Sequence, residues 1–217
     1  MTKKFVIGDI HGRIEALKQV LNLSKFDYKK DTLIILGDVA DGGYDTYEVV
    51  EELLKIKNRV LIFGNHDEWV KQYFEFGSSP DIWVTQGGEN TKNSYMKYME
   101  VPDTHKQFFK EGMYWYNIDK MLFVHGGFDP LMGVETTDID TLIWDRDLIK
   151  FAQKHKIDKW KYVFAGHTTT QIYGSMEPTW FNNLCMMDTG AGWNGKLTIM
   201  DIETKDYWQS DIQKPAI

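Results

Sequence analysis

The 217-residue sequence is poor in cysteine, in positive charge and in long apolar runs, and each shortage removes a class of function. Cys185 is the only cysteine, so no internal disulfide can form and a cysteine-based zinc site is excluded. Its surroundings, Leu184-Cys185-Met186-Met187, read as buried strand, which makes it a small core residue. With 25 Lys and Arg against 32 Asp and Glu, the formal net charge is -7. That is the wrong sign for a protein that wraps a phosphate backbone, so no stable nucleic-acid binding is expected. An anionic substrate on such a chain needs a local source of positive charge, which bound metal can provide. No apolar run approaches the length of a membrane span. Met1-Thr2-Lys3-Lys4-Phe5 leads straight into a strand pattern without a signal-peptide apolar region. A cytoplasmic location with no membrane partner is expected. Repeats at solenoid periods and low-complexity segments are also missing.

What is present reads as a single soluble domain over 1–217, with 42% hydrophobic and 26% charged residues and enough chain to bury a core without crosslinks. Aromatic residues make up 14%, eight of them tryptophan, which implies an aromatic-rich core or an aromatic-walled pocket. Short apolar runs of strand length recur, and each stops at a glycine and a polar residue. Phe5-Val6-Ile7 ends in Gly8-Asp9-Ile10-His11-Gly12, and Leu33-Ile34-Ile35-Leu36 ends in Gly37-Asp38. Val60-Leu61-Ile62-Phe63 ends in Gly64-Asn65-His66-Asp67, Met121-Leu122-Phe123-Val124 in His125-Gly126-Gly127, and Tyr162-Val163-Phe164-Ala165 in Gly166-His167-Thr168. Between the first three runs lie two helical stripes, Ile14, Leu17, Val20, Leu21 and Val49, Val50, Leu53, Leu54. Asp45 and Glu48 resemble an N-terminal cap with its reciprocal partner. The first 65 residues thus read as β-α-β-α-β, which favours parallel strands. After Lys120 come closely spaced strands at 121–124, 162–165, 184–188, 196–202 and 206–211. Residues 76–120 read as an insertion or cap, with helices around Asn93–Met99 and Thr104–Lys110 and an aromatic strand at Tyr114-Trp115-Tyr116.

Ligand groups gather at the carboxyl ends of parallel strands, and here each such end carries a side chain able to bind metal. Four of the six histidines, His11, His66, His125 and His167, sit at these ends beside glycines. His105 and His155 lie in Lys-rich helical segments and read as packing or surface residues. Asp9 and His11, two apart, fall on one side of an extended strand end. Asp38, Asn65, His125 and His167 add oxygen and nitrogen donors. Such a mixture suits manganese, iron, zinc or cobalt better than calcium. The donors are too many for one tetrahedral ion and fit two ions sharing a carboxylate.

This series, with Gly37-Asp38-Val39-Ala40-Asp41-Gly42-Gly43 as its second member, resembles the calcineurin-like metallophosphoesterase superfamily. Trp83 with Gly87-Gly88, Trp144-Asp145-Arg146 and Asp188-Thr189-Gly190-Ala191 are similar to its small bacterial and phage branch. That branch holds phosphoprotein phosphatases and symmetrical bis(5'-nucleosyl)-tetraphosphatases. The resemblance implies an α/β (α+β) fold of two mixed β-sheets packed face to face with helices outside. It implies two divalent ions, manganese first, with iron, zinc, cobalt or nickel as alternatives. Asp9 and His11 would hold the first ion, Asp38 both, and Asn65, His125 and His167 the second. His66 would give a proton to the leaving oxygen, Asp41 would orient it, and Asp67, where relatives carry an acid, would join them as a catalytic residue. On donor count alone, His66 could instead be a third ligand on the second ion.

Relatives usually carry Asp-Arg-Gly where this chain has Asp41-Gly42-Gly43, so the arginine that grips phosphate is missing. Arg13 is the first replacement candidate and Arg146 the second, joining Asn65 as a substrate-binding residue. The expected activity is metal-dependent hydrolysis of phosphate esters or anhydrides by in-line attack of a metal-bridging hydroxide. A phosphorylated protein is the first substrate class and a bis(5'-nucleosyl) tetraphosphate the alternative; a non-catalytic metal-binding scaffold is the rival reading. Trp83, Tyr95, Tyr98 and Trp115 could stack a base, or could be core.

Overall fold

A computed structural model describes residues 2–214. The first half forms β1 (Lys4–Ile7), α1 (Ile14–Leu23), β2 (Thr32–Ile35), α2 (Thr46–Leu54) and β3 (Asn58–Leu61). The three strands pair in parallel, Val6 opposite Ile34 and Ile34 opposite Val60, as the alternation of strand and helix requires. Four helices follow: α3 (Asn65–Phe76), α4 (Asp81–Trp83), α5 (Glu89–Met96) and α6 (Asp103–Lys110). The second half supplies β4 (Trp115–Ile118), β5 (Met121–Val124), α7 (Ile139–Trp144), α8 (Asp147–Ala152) and β6 (Tyr162–Ala165). It closes with β7 (Thr179–Phe181), β8 (Leu184–Met186), β9 (Thr198–Asp201) and β10 (Tyr207–Gln209).

These strands form two mixed five-stranded sheets, ordered β10-β9-β1-β2-β3 and β4-β5-β6-β8-β7. Because successive side chains point to opposite faces, each strand divides its apolar residues between two layers. Val6, Ile34, Leu36 and Ile62 meet Met121, Phe123, Phe164 and Cys185 between the sheets. The rings of Phe123 and Phe164 stack there at 5.1 Å. Phe5, Ile7, Leu33 and Ile35 face outward onto Leu17 and Val20 of α1 and Val49 and Leu53 of α2. Leu122, Val124, Val163 and Ala165 do the same against Leu142, Leu148 and Ala152 of α7 and α8. The order is helix, sheet, sheet, helix, and the strands are apolar on both faces because both faces are covered. Truncating Phe164 to alanine removes contacts in the central layer and costs about 3–5 kcal/mol.

The helical stripes fall as read from the sequence: Ile14, Leu17, Val20 and Leu21 are buried in α1, and Val49, Val50 and Leu53 in α2. The capping expectation at α2 fails. Asp45 is the N-cap but makes no side-chain cap bond, because the Glu48 carboxylate instead accepts from Tyr98 Oη at 2.9 Å and Ser94 Oγ at 3.4 Å. Those partners belong to the 76–120 segment, and its Trp83, Phe108 and Phe109 share the core of the first sheet. The sequence reading assigns no element to α3 beyond its first turn, nor to the three-residue β7 or to α7 and α8.

Candidate metal centre

The loops after β1, β2, β3, β5, β6 and β8 converge at the carboxyl ends of the two sheets. Asp9 and His11 do not share an extended strand end, as the sequence suggested. β1 stops at Ile7, and His11 lies in left-handed backbone with φ 49°. The N–H groups of Ile10 and His11 both donate to the Asp38 carbonyl, at 3.0 and 2.8 Å, which pins this turn to the second motif. Asp38, Asp41 and His167 are also left-handed, at φ 45°, 67° and 61°. Four non-glycine residues of this kind at one spot mark backbone strain held by the surrounding structure. Gly64 answers a different need. A β-carbon there would stand 2.0 Å from Asp38 Oδ1, so only glycine lets the third motif lie against the second.

Two compact sets of ligand-capable atoms share Asp38. One holds His11, Asp38 and His66, the other Asp38, His125 and His167, with all atoms of a set within 4.8 Å of one another. Asn65 Oδ1 adjoins the second set, 3.2 Å from His125 Nε2, which is itself 3.4 Å from Asp38 Oδ2. His11 Nδ1 donates to the Ala40 carbonyl at 3.1 Å and His125 Nδ1 to the Leu36 carbonyl at 2.6 Å. A carbonyl can only accept, so each Nδ1 carries the proton and each Nε2 is left to face Asp38. Asp9 is in neither set: its Oδ2 accepts the His167 N–H at 3.0 Å and its Oδ1 is buried without a partner.

The charge balance tests whether these residues suit divalent ions. Asp9, Asp38, Asp67 and Asp188 are all buried, and among the described residues only histidines pair with any of them. Burial and the neighbouring Asp188 and Asp38 push the Asp9 carboxyl well above its ordinary range. Burial raises Asp188 to about 6, and burial with Asp38 raises Asp67 to about 7. Asp38 goes the other way: burial opposes ionisation, but His125 and His66 hold it well below the usual carboxylate value. His167, desolvated and beside His125, is pushed down to about 3, and its Nε2 is buried without a partner. A buried acidic cluster with an orphaned carboxylate oxygen and an orphaned imidazole nitrogen fits cations. Its mixed donors fit borderline transition ions.

His66 is built differently. Its Nδ1 lies 2.7 Å from Asp41 Oδ2, and Asp41 also accepts from Trp83 Nε1 and Thr91 Oγ1, both at 2.7 Å. Burial lowers the basicity of His66, but Asp38 and Asp41 outweigh it and raise the ring to about 9. Trp83 and Thr91 come from the 76–120 segment, so that segment reaches into the site and sets the carboxylate that holds His66. Asp67, expected among the catalytic residues, is placed elsewhere. Its two oxygens accept the N–H groups of Val39 at 2.9 Å and Gly64 at 3.0 Å, so it ties the second motif to the start of α3. Trp69 and Trp144 wall the remaining side. Edge-to-face contacts run from His66 to Trp69 at 5.1 Å, on to Trp144 at 5.4 Å, and to His167 at 5.6 Å.

A family profile described as calcineurin-like phosphoesterase matches residues 3–175. The chain belongs to that family. Similar proteins include a "Bis(5'-nucleosyl)-tetraphosphatase, symmetrical" from Buchnera aphidicola subsp. Acyrthosiphon pisum (strain Tuc7). It is 41% identical over 91 residues, which cover 36% of this chain and 33% of that one. The match therefore spans about a third of that relative's length. A protein of the same name from Buchnera aphidicola subsp. Schizaphis graminum (strain Sg) is 27% identical over 271 residues, covering 97% of this chain and 98% of that one. A metallophosphoesterase structure from Sphaerobacter thermophilus shares the fold, with a TM-score of 0.60 and 15% identity, covering 98% of this chain and 90% of that one.

Within this calcineurin-like phosphoesterase, the two arginines flank the centre from different sides. Arg146 is exposed, and its charge helps hold the His167 imidazole down, so it stands at the mouth beside the second donor set. Arg13 lies beyond His11: its Nη2 donates to the Gly192 carbonyl at 3.4 Å and its Nε is buried without a partner. A side chain at Gly42 would be strained, since φ is 69° and a β-carbon would sit 3.2 Å from His11 Cβ. The loop around Gly192 occupies the approach that a longer residue would use.

The aromatic residues of the 76–120 segment are largely core. Trp83 and Tyr95 are buried, Tyr98 stacks on Tyr47 at 3.7 Å, and Trp115 packs against the second sheet's core. His105 is buried between Tyr95 Oη and Glu51, at 2.9 and 2.7 Å, and His155 packs on Phe151. Sequence reasoning missed Asp188, Thr91 and Trp69 as parts of the site. Asp188 carried the one available signal, a carboxylate directly after an apolar strand.

Proposed function

We propose that the protein is a divalent-metal-dependent hydrolase that cleaves phosphoanhydride bonds of nucleotide polyphosphates. The observation that carries the phosphoesterase part is the pair of donor sets sharing Asp38, with His66 of the first set held instead by Asp41 through Nδ1. The nucleotide part rests on relatives named for symmetrical bis(5'-nucleosyl)-tetraphosphate hydrolysis, one of them matched over nearly its whole length. This reverses the order of substrates drawn from the sequence, which put a phosphoprotein first. The likeness to solved phosphatase structures is one of fold and does not favour that class.

In this reading, His11 and Asp38 would hold one ion, while Asp38, Asn65, His125 and His167 would hold the other. Asp9, in neither set, would join the first through its Oδ1, which is unpartnered among the described residues. Divalent ions there, manganese first among the candidates, supply positive charge to phosphoryl oxygens and lower the pKa of water. The protein's own part is to hold and move a proton. Asp41 fixes Nδ1–H of His66 and stabilises the charged ring, while Trp83 and Thr91 keep Asp41 from turning. The protonated Nε2 then gives its proton to the departing phosphate oxygen, and the neutral ring regains one from solvent. Arg146 at the mouth binds free phosphoryl oxygens, and Arg13 binds the chain farther out. Trp69 and Trp144 exclude water from the His66 side. The test is a panel of diadenosine tetraphosphate, a phosphopeptide and simple monoesters with several divalent ions. Metal-dependent cleavage of the tetraphosphate well ahead of the phosphopeptide is expected; the reverse order overturns the nucleotide reading.

A further inference from the structure

Residues 190–195 form a tight loop between β8 and β9. The N–H groups of Trp193 and Gly195 both donate to the Gly190 carbonyl, at 3.0 and 2.8 Å, and Lys196 N donates to Thr189 O at 3.0 Å. Gln171 Nε2 braces it from outside through Asn194 O at 3.1 Å. Gly192 lies on the His11 ring so closely that a β-carbon would come within 2.6 Å of Cδ2. The next residue, Trp193, is 61% exposed, and it is the one exposed tryptophan of eight. Leaving the largest apolar side chain in water on a rigid loop forgoes burial that folding would otherwise use. Its position, one residue from the contact with His11, gives that exposure a use.

Trp69 and Trp144 are poorer stacking surfaces, because they are half-buried and their rings pack on each other and on His66 and His167. No aromatic ring among the described residues packs on Trp193. Arg13 is tied to the same loop: its guanidinium reaches the carbonyl of Gly192, the residue before Trp193, through Nη2, while Nε is buried with no partner among the described residues. Tyr44 and Asp45 sit beside that guanidinium and counter the effect of its burial.

We infer that Trp193 is the stacking platform for a nucleobase of the substrate, with Arg13 holding the phosphate that joins the base to the reacting group. The inference rests on the nucleotide reading above. Stacking tolerates any base, so it selects for a nucleoside rather than for adenine. The test uses the metal-loaded protein and two substrates, diadenosine tetraphosphate and inorganic tripolyphosphate, which has the anhydride but no base. The readout is the ratio of kcat/KM for the first over the second. Trp193→Ala lowers this ratio by about five- to a hundredfold, the range of one lost base stack, through KM rather than kcat, and Trp193→Phe restores most of it. A ratio within about twofold of the parent in Trp193→Ala overturns the platform while leaving the nucleotide reading intact. A parent protein that cleaves tripolyphosphate but no dinucleotide removes both.

Discussion

His66 and His167 occupy comparable places, each just beyond a strand's carboxyl end and each edge-on to a tryptophan. Their chemistry is opposite. His66 is tied through Nδ1 to a carboxylate that two other groups, Trp83 and Thr91, also hold, and its ring is raised to about 9. His167 has no carboxylate of its own, lies near His125 and Arg146, and is pushed down to about 3, chiefly by desolvation, with Nε2 orphaned among the described residues. A histidine that keeps its proton is suited to act as an acid, and one that keeps its lone pair is suited to act as a ligand. The same residue type in the same setting is thus divided by what stands behind it. Behind the His66 ring is the 76–120 segment, while His167 is held through its backbone N–H by Asp9 and its ring Nε2 has no partner among the described residues.

The comparison breaks most severely at the residue both sides share. Asp38→Asn should abolish activity and lower metal content together, because the carboxylate belongs to both donor sets. Full activity with undiminished metal by elemental analysis would remove the dinuclear assignment. On the His66 side alone, His66→Asn should lower kcat by about 10²–10⁴. The loss should be smaller for p-nitrophenyl phosphate, whose leaving group needs little protonation, and equal losses on an alkyl phosphate would show the acid role to be wrong. On the His167 side, Arg146→Ala should cost about 10²–10³ in kcat with metal content unchanged, the range for one lost oxyanion donor. Arg13→Ala should cost less, since the Arg13 guanidinium is already tied to the Gly192 carbonyl beyond His11. The reverse ranking would make Arg13 the replacement for the arginine missing at Gly42. The smallest effect belongs to Trp83→Phe, which keeps the buried ring but removes one of three donors to Asp41. A loss of about tenfold in kcat, near 1.4 kcal/mol, is expected from one charge-assisted bond. Unchanged kcat would mean that Thr91 and His66 hold the carboxylate unaided.

Much of the fold was legible because the strands are apolar on both faces and stop at glycine. Runs such as Val6 to Asp9 and Val124 to His125 announce both the strand and the donor after it. The partnership of His66 with Asp41 came only through resemblance, since nothing in local spacing joins residues 25 apart. The holders of Asp41 were less visible still. Trp83 stood out only as part of a motif and as a stacking or core ring, Thr91 not at all, and their hydrogen bonds depend on how the segment folds back over the second motif. Asp188 was hidden by its setting, since Asp188-Thr189-Gly190 reads as a turn after a strand. Asp67 differs again: its place in the motif suggests chemistry, and the structure adds what spacing could not show, that its oxygens accept the N–H groups of Val39 and Gly64. The helix α3 was obscured because its first turn is the motif itself and Val70 is its only buried apolar residue beyond that turn.

The division of labour between the two histidines is tested most directly by counting metal in His66→Asn and His167→Asn, purified and loaded side by side and read by elemental analysis. Two ions per chain in His66→Asn and fewer in His167→Asn is the predicted result. Loss of metal from His66→Asn, or full occupancy in His167→Asn, would contradict the account.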